Sequence, residues 1–158
     1  MSEDANLDVF DRRILTVLQA EGRISNTDLA ERIGLSPSPC LRRVRLLEKA
    51  GVIKGYRACL DRGAAGVGMT VFVEIKVTRH SRNNAASVQE RLTALPGCVA
   101  CHMVSGEADF LIEMAVPDLD AYERVLTEHL LTMDEVETVR SNFSLRSILT
   151  DGALAIRG

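Results

Sequence analysis

Residues 98–102, "CVACH", carry a Cys-x-x-Cys-His spacing that in other settings attaches c-type haem, holds zinc or runs thiol redox chemistry. The surrounding run "CVACHMVS" is β-rich, and on a strand residues three apart point to opposite faces. Regular alternation therefore keeps Cys98 and Cys101 from gripping one metal or one haem edge. A redox pair also needs a helix N-terminus to depress a thiol pKa, and none is expected here. Zinc needs a second Cys/His pair, but Cys40 and Cys59 stand alone in the other half of the chain, and the remaining histidines are His80 and His129. No metal and no cofactor are expected. A thiol-responsive role for Cys98 or Cys101 remains as an alternative. There is no nucleophile beside a plausible base and no phosphate loop, so an enzyme is not expected either.

The other chemistry is electrostatic. The chain of 158 residues has a net charge of −3, but residues 1–60 hold ten Lys/Arg against eight Asp/Glu, and the rest nine against fourteen. Ser36 to Arg57 concentrates six bases, Arg42, Arg43, Arg45, Lys49, Lys54 and Arg57, around the single acid Glu48. A local basic face suits a phosphate backbone whatever the total charge. The acidic start "MSEDANLD" has no apolar core of a secretory signal, and no apolar run reaches membrane-span length, so a cytoplasmic protein with reduced thiols and no membrane partner is expected.

These bases must be positioned by helices. "LDVFDRRILTVLQAEG" sets Leu7, Phe10, Ile14, Val17 and Leu18 on one stripe, with Asp8 as N-cap and Gly22 as stop. "SNTDLAERIG" starts at Ser25, buries Leu29, Ala30 and Ile33, and ends at Gly34. A third helix follows Ser36, with Pro37 at the first helical position and Pro39 inside the first turn. At 100° per residue, Cys40, Val44 and Leu47 fall within about 60° of one another, and Ser38, Arg42, Arg45 and Lys49 lie opposite. Two short helices joined by a glycine turn, the second with an apolar back and an Arg/Lys/Ser front, predict a helix-turn-helix on double-stranded DNA. Ser36, Ser38, Pro39, Arg42, Arg43, Arg45 and Lys49 are the candidate contacts. "VIKGYRACL" alternates enough to suggest a two-stranded wing.

Three glycines in "LDRGAAGVGM" mark a linker, giving a DNA-binding domain over 1–60, a linker over 61–68 and a second domain over 69–158. "MTVFVEIKV" alternates as a strand; a helix is expected over Asn83–Leu95, then strands in "CVACHMVS" and "DFLIEMAV", a helix over Asp118–Met133, and a last strand in "VETVRSNFSLRSIL". Strand, helix, strand, strand, helix, strand is the ferredoxin-like split βαβ arrangement, so the fold class is α+β. Helices cover one sheet face. Val, Ile and Phe on both sides of the strands predict that a second subunit covers the other, giving a homodimer.

At this point "RISNTDLAERIGLSPSPCLRRVRLLEKAGVIKGYRACL" resembles the DNA-binding half of the Lrp/AsnC (feast/famine) family, and "ACHMVSGEADFLIEMAVPDLDAY" its effector domain. The resemblance spans nearly the whole chain. It implies a winged helix-turn-helix regulator, dimers assembled into larger discs, typically octamers, and a small effector, usually an amino acid, bound between dimers. The family signature VSG-x-x-D-[FY]-L falls on Val104–Leu111, which makes Ser105, Gly106, Glu107 and Asp109 effector candidates, with His102 and Met103 before the turn and Thr138 and Ser141 on the last strand. A glycine turn offers N–H groups to a carboxylate, and Asp109 can take an ammonium. The same residues also suit a plain hairpin turn, and both roles can coexist. Two positions depart from the family: Ala108 stands where an aromatic is common, and "SLRSILTDG" lacks a lysine often found near the end of the last strand. An architectural DNA-coating protein without an effector is the remaining alternative.

Overall fold

The computed structural model describes residues 7–78 and 85–156, which form two compact units. The acidic first residues, His80 and the Asn83 start expected for a helix lie outside the described residues. One unit holds the chain up to Cys59 together with Leu149–Gly158; the other runs from Leu60 to Ile148.

In the first unit, α1 (Val9–Ala20) begins at Asp8, whose carboxylate accepts from the Phe10 and Asp11 N–H groups while Asp11 returns a bond to the Asp8 N–H. This reciprocal cap satisfies donors the helix start would otherwise leave open. α2 (Asn26–Ile33) is capped by Ser25 and ends at Gly34, whose φ of 76° is the left-handed conformation that closes helix ends and that glycine adopts without a Cβ penalty. α3 (Pro37–Lys49) follows after three residues. Ile14, Leu29, Ala30, Ile33, Cys40, Val44 and Leu47 form the core, as the helical spacing required. The two strands expected for the wing are not formed among the described residues: Val52 and Ile53 donate back to Leu47 O, and 54–60 carry no strand ladder.

The second unit is one antiparallel sheet of β1 (Met69–Val77), β2 (Cys98–Met103), β3 (Phe110–Val116) and β4 (Val136–Phe143), in the order β2-β3-β1-β4. α4 (Ala85–Thr93) and α5 (Leu119–Val125), which continues as a π turn over Leu126–Leu130, supply the helices of the ferredoxin-like pattern. Val71, Val73, Ile75 and Val77 alternate into the core beside Phe110, Ile112, Met114, Val88, Leu92 and Leu130. The opposite face is more polar than the sequence suggested. Phe72, Leu111 and Ala115 share it with Thr70, Glu74, Lys76, Glu113, Thr138, Arg140 and Asn142.

Three boundaries differ from expectation. The glycine-rich 61–68 stretch is an ordered turn of the sheet unit: Asp61 O accepts from Ala65 N–H, Arg62 O from Val67 N–H, and Arg62 bonds Thr70 and Glu113. β4 ends at Phe143 rather than running through "SLRSIL". Residues 149–156 cluster with the helical unit, where the Gln19 side-chain amide donates to Leu154 O at 3.2 Å and accepts from Leu154 N–H at 2.6 Å.

A fourth difference bears on the cysteines. In the β2–β3 ladder Cys98 faces Met114, Ala100 faces Glu113 and Cys101 faces Ile112, so Val99 is an extra, bulged residue. The bulge resets the alternation, and Cys98 and Cys101 both pack against the helix-covered core. The opposite-faces argument drawn from regular strand geometry fails here.

Candidate nucleic-acid interface and ligand cleft

The recognition face begins with how α3 is held. Asn26, at the start of α2, donates from Nδ2 to Pro37 O at 2.9 Å, and Leu35 N–H bonds Ala30 O at 2.9 Å, fixing the short turn between the two helices. Buried Cys40, Val44 and Leu47 anchor the inner side. Ser36, Ser38, Pro39, Arg42, Arg45 and Lys49 are all exposed. Ser36 occupies the N-cap position, but its side chain makes no capping bond. Arg42, Arg45 and Lys49 form no ion pair among the described residues. Uncommitted guanidinium and ammonium groups on one helix face, at a helix N-terminus that attracts anions, are suited to phosphates and base edges.

Arg43 does not belong to that face. Its guanidinium bonds Asp11 at 2.8 Å and Asp8 at 2.7 Å and lies 5.4 Å from the Phe10 ring centroid. Asp11 first and Asp8 second hold the Arg43 pKa above its ordinary value. Arg43 ties α3 to the start of α1, a role its place in the basic run concealed.

In the sheet unit a cleft of about 470 Å³ opens over β1, β4 and the β2–β3 turn, lined by Glu74, Lys76, Gly106, Glu107, Ala108, Thr138 and Arg140. Gly106 has a φ of 135° and open space where a Cβ would stand, so its backbone is accessible. Arg140 lies 3.5 Å from Glu74 and 4.0 Å from Glu107, Lys76 lies 3.3 Å from Glu137, and Asn142 donates to Glu74 at 3.0 Å. The walls thus present two carboxylates and two cations within one concavity.

Of the residues singled out from sequence, Gly106, Glu107 and Thr138 reach this cleft. His102 points to the sheet's open face opposite Leu111, and Met103 lies beside Phe110, 62% exposed. Ser141 faces the helices, its hydroxyl bonded to the Tyr122 hydroxyl. Ser105 is exposed in the turn but outside the lining. Asp109 is woven into the sheet: Oδ2 accepts from Val77 N–H at 3.0 Å, its N–H donates to Ile75 O and its carbonyl accepts from Val104 N–H. Glu74, Lys76 and Arg140 were missed. Their signal in the sequence is charge at outward-facing strand positions.

A helix-turn-helix with an uncommitted basic front, in one chain with an antiparallel sheet carrying a polar cleft, defines a DNA-binding regulator with a ligand-binding domain. Residues 7–54 match the winged helix-turn-helix DNA-binding family, and residues 70–154 match the Lrp/AsnC ligand binding domain. The leucine-responsive regulatory proteins of Klebsiella pneumoniae and of Escherichia coli (strain K12) are each 40% identical to this chain over 152 residues, covering 96% of it and 93% of the relative. Among solved structures, a transcriptional regulator from Neisseria meningitidis in complex with L-Met superposes with a TM-score of 0.87 at 33% identity, covering 94% of this chain and 96% of that one. An AsnC family transcriptional regulator from Agrobacterium tumefaciens gives 0.88 at 33% identity, with the same coverage. The chain belongs to the Lrp/AsnC family: it is a DNA-binding transcriptional regulator and not an enzyme. No helix of the described residues is long and apolar enough to cross a membrane.

Proposed function

We propose that the regulator responds to an α-amino acid bound in the Gly106 cleft, and that Ser36, Ser38, Pro39, Arg42, Arg45 and Lys49 meet double-stranded DNA. The observation that carries the reading is the charge pattern of the cleft. A zwitterion presents a carboxylate and an ammonium a few ångströms apart, and Arg140, Lys76 and the Gly106 N–H answer the first while Glu107 and Glu74 answer the second. The name of the leucine-responsive relatives and the L-Met complex of the Neisseria regulator support an amino acid in this class of domain.

A single helix-turn-helix binds DNA non-specifically with a Kd of only about 10⁻⁴ to 10⁻⁶ M, so useful affinity needs two α3 helices on half-sites about one helical turn apart. A homodimer formed through the sheet unit supplies them. Dimers assemble further, to an octamer, with the effector between dimers, so that its differential binding to two assembly states shifts DNA affinity.

Thermal shift over the common L-amino acids tests the reading, since a ligand at about 100 times its Kd stabilises by about 2.7 kcal/mol. Stabilisation by a subset, with a matching change in sedimentation or DNA binding, is expected. An unresponsive protein that still coats DNA identifies an architectural protein instead.

A further inference from the structure

We propose that Cys98 and Cys101 form a dithiol site that closes to an intrachain disulfide by exchange with a small disulfide such as oxidised glutathione. The site lies outside the ligand cleft and does not depend on the effector reading.

The geometry comes from the bulge. Cys98 and Cys101 oppose Met114 and Ile112, which are two residues apart on β3. At about 3.3 Å of rise per residue, their Cα atoms stand roughly 6.6 Å apart along the strand. In a regular strand, three residues would separate them by about 10 Å and place them on opposite faces. Disulfides span Cα separations of about 4.4 to 6.8 Å with Cβ atoms about 3.5 to 4.5 Å apart, so the bulge brings both thiols to one face near the outer limit of that range, and closure requires β2 to draw the two residues together.

One sulfur reaches along the strand. Cys98 Sγ lies 3.7 Å from Ala100 O, turned in the direction of Cys101. Burial pushes both thiols up, and Cys101 is raised further by the Cys98 sulfur, so exchange runs through a minor thiolate fraction and is slow near neutral pH, unlike that of a catalytic redox pair. Both are half-buried and free. β2 is the edge strand, bonded to β3 alone, so it can tighten with little resistance from the sheet. It leads directly into the turn carrying Gly106, so closing the bond acts on that turn.

The exchange balances without a further reagent. One cysteine loses its proton and attacks a sulfur of the small disulfide, forming a mixed disulfide and releasing one thiolate, which takes up that proton. The second cysteine then displaces the remaining small thiol in the same way. Two cysteine thiols are oxidised to one disulfide as one small disulfide is reduced to two thiols.

The test uses the full chain carrying Cys40→Ser and Cys59→Ser, incubated with excess oxidised glutathione in native buffer and in urea, then acid-quenched, alkylated and digested for mass analysis. The expected native result is a peptide containing both cysteines, unalkylated and lighter by two hydrogens, and conversion to a glutathione adduct when Cys101→Ser is added. The urea sample shows that the reagents are competent. If that sample crosslinks while the native protein keeps both thiols alkylatable, or if the native protein links Cys98 or Cys101 only between chains, the proposal is overturned.

Discussion

Removal of Arg45 should change how DNA binding depends on salt, by an amount fixed by the geometry of α3. Arg42, Arg45 and Lys49 are exposed and unpaired among the described residues, so the two helices of the proposed homodimer offer six cationic contacts. With each phosphate contact contributing about 0.9 to the logarithmic salt slope, the slope is roughly −5, and affinity falls on the order of 10³-fold between about 50 and 200 mM salt. Arg45→Ala deletes two contacts. If both are to phosphate, the slope loses about two units and the same change in salt costs only about 10²-fold. If Arg45 instead meets a base edge, a selected operator loses about 1 to 3 kcal/mol per half-site and specificity relaxes at that position. Arg43→Ala is the internal contrast, because its guanidinium is spent on Asp8, Asp11 and Phe10: it should lower the melting temperature and leave the slope intact. Fluorescence anisotropy on a labelled random duplex across the salt series reads the slope, and calorimetry reads stability. The reasoning is refuted if alanine at 42, 45 and 49 leaves the slope unchanged, or if Arg43→Ala flattens it.

Other consequences are as direct. Gly97 has a φ of 81°, and a Cβ there would meet Ala115 O at 2.8 Å, so Gly97→Ala should cost about 2 to 4 kcal/mol and lower the sheet unit's melting temperature by about 10 °C or more; a calorimetric change below about 2 °C contradicts this. The Asp11 N–H, with Arg43 and the Phe10 N–H behind it, holds the Asp8 carboxyl below its ordinary 3.8, so the stability it lends α1 is full above that value and is lost as pH falls through the lower folded one. Asp8→Asn should remove that acid dependence in melting curves taken down the pH scale. Gln19→Ala should expose the Leu154 amide, speeding its hydrogen exchange by about 5-fold for the loss of one bond worth about 1 kcal/mol; unchanged protection would mean another group holds the tail. Arg140→Ala should abolish amino-acid stabilisation in thermal shift while DNA binding persists, and loss of both would point to a folding defect.

Much of this protein was legible in one dimension. Helical period and caps placed α1, α2 and α3 almost to the residue, because Asp8, Ser25, Pro37 and Gly34 act on their own neighbours. The outward set on α3 followed from the same 100° step, and the succession of strands and helices in the second unit from alternation and turns. Local forces of this kind act within a few residues and are written in the sequence. What the fold alone decided depends on partners distant in the chain. Arg43 left the basic face because Asp8 and Asp11 lie beside it in space, and Asp109 became a sheet support because Val77 offers its N–H. The cleft drew Glu74, Lys76 and Arg140 from two strands that meet only by pairing. The Val99 bulge has no sequence signature. It is a mismatch between two strands, and one inserted residue is enough to put two thiols on the same side.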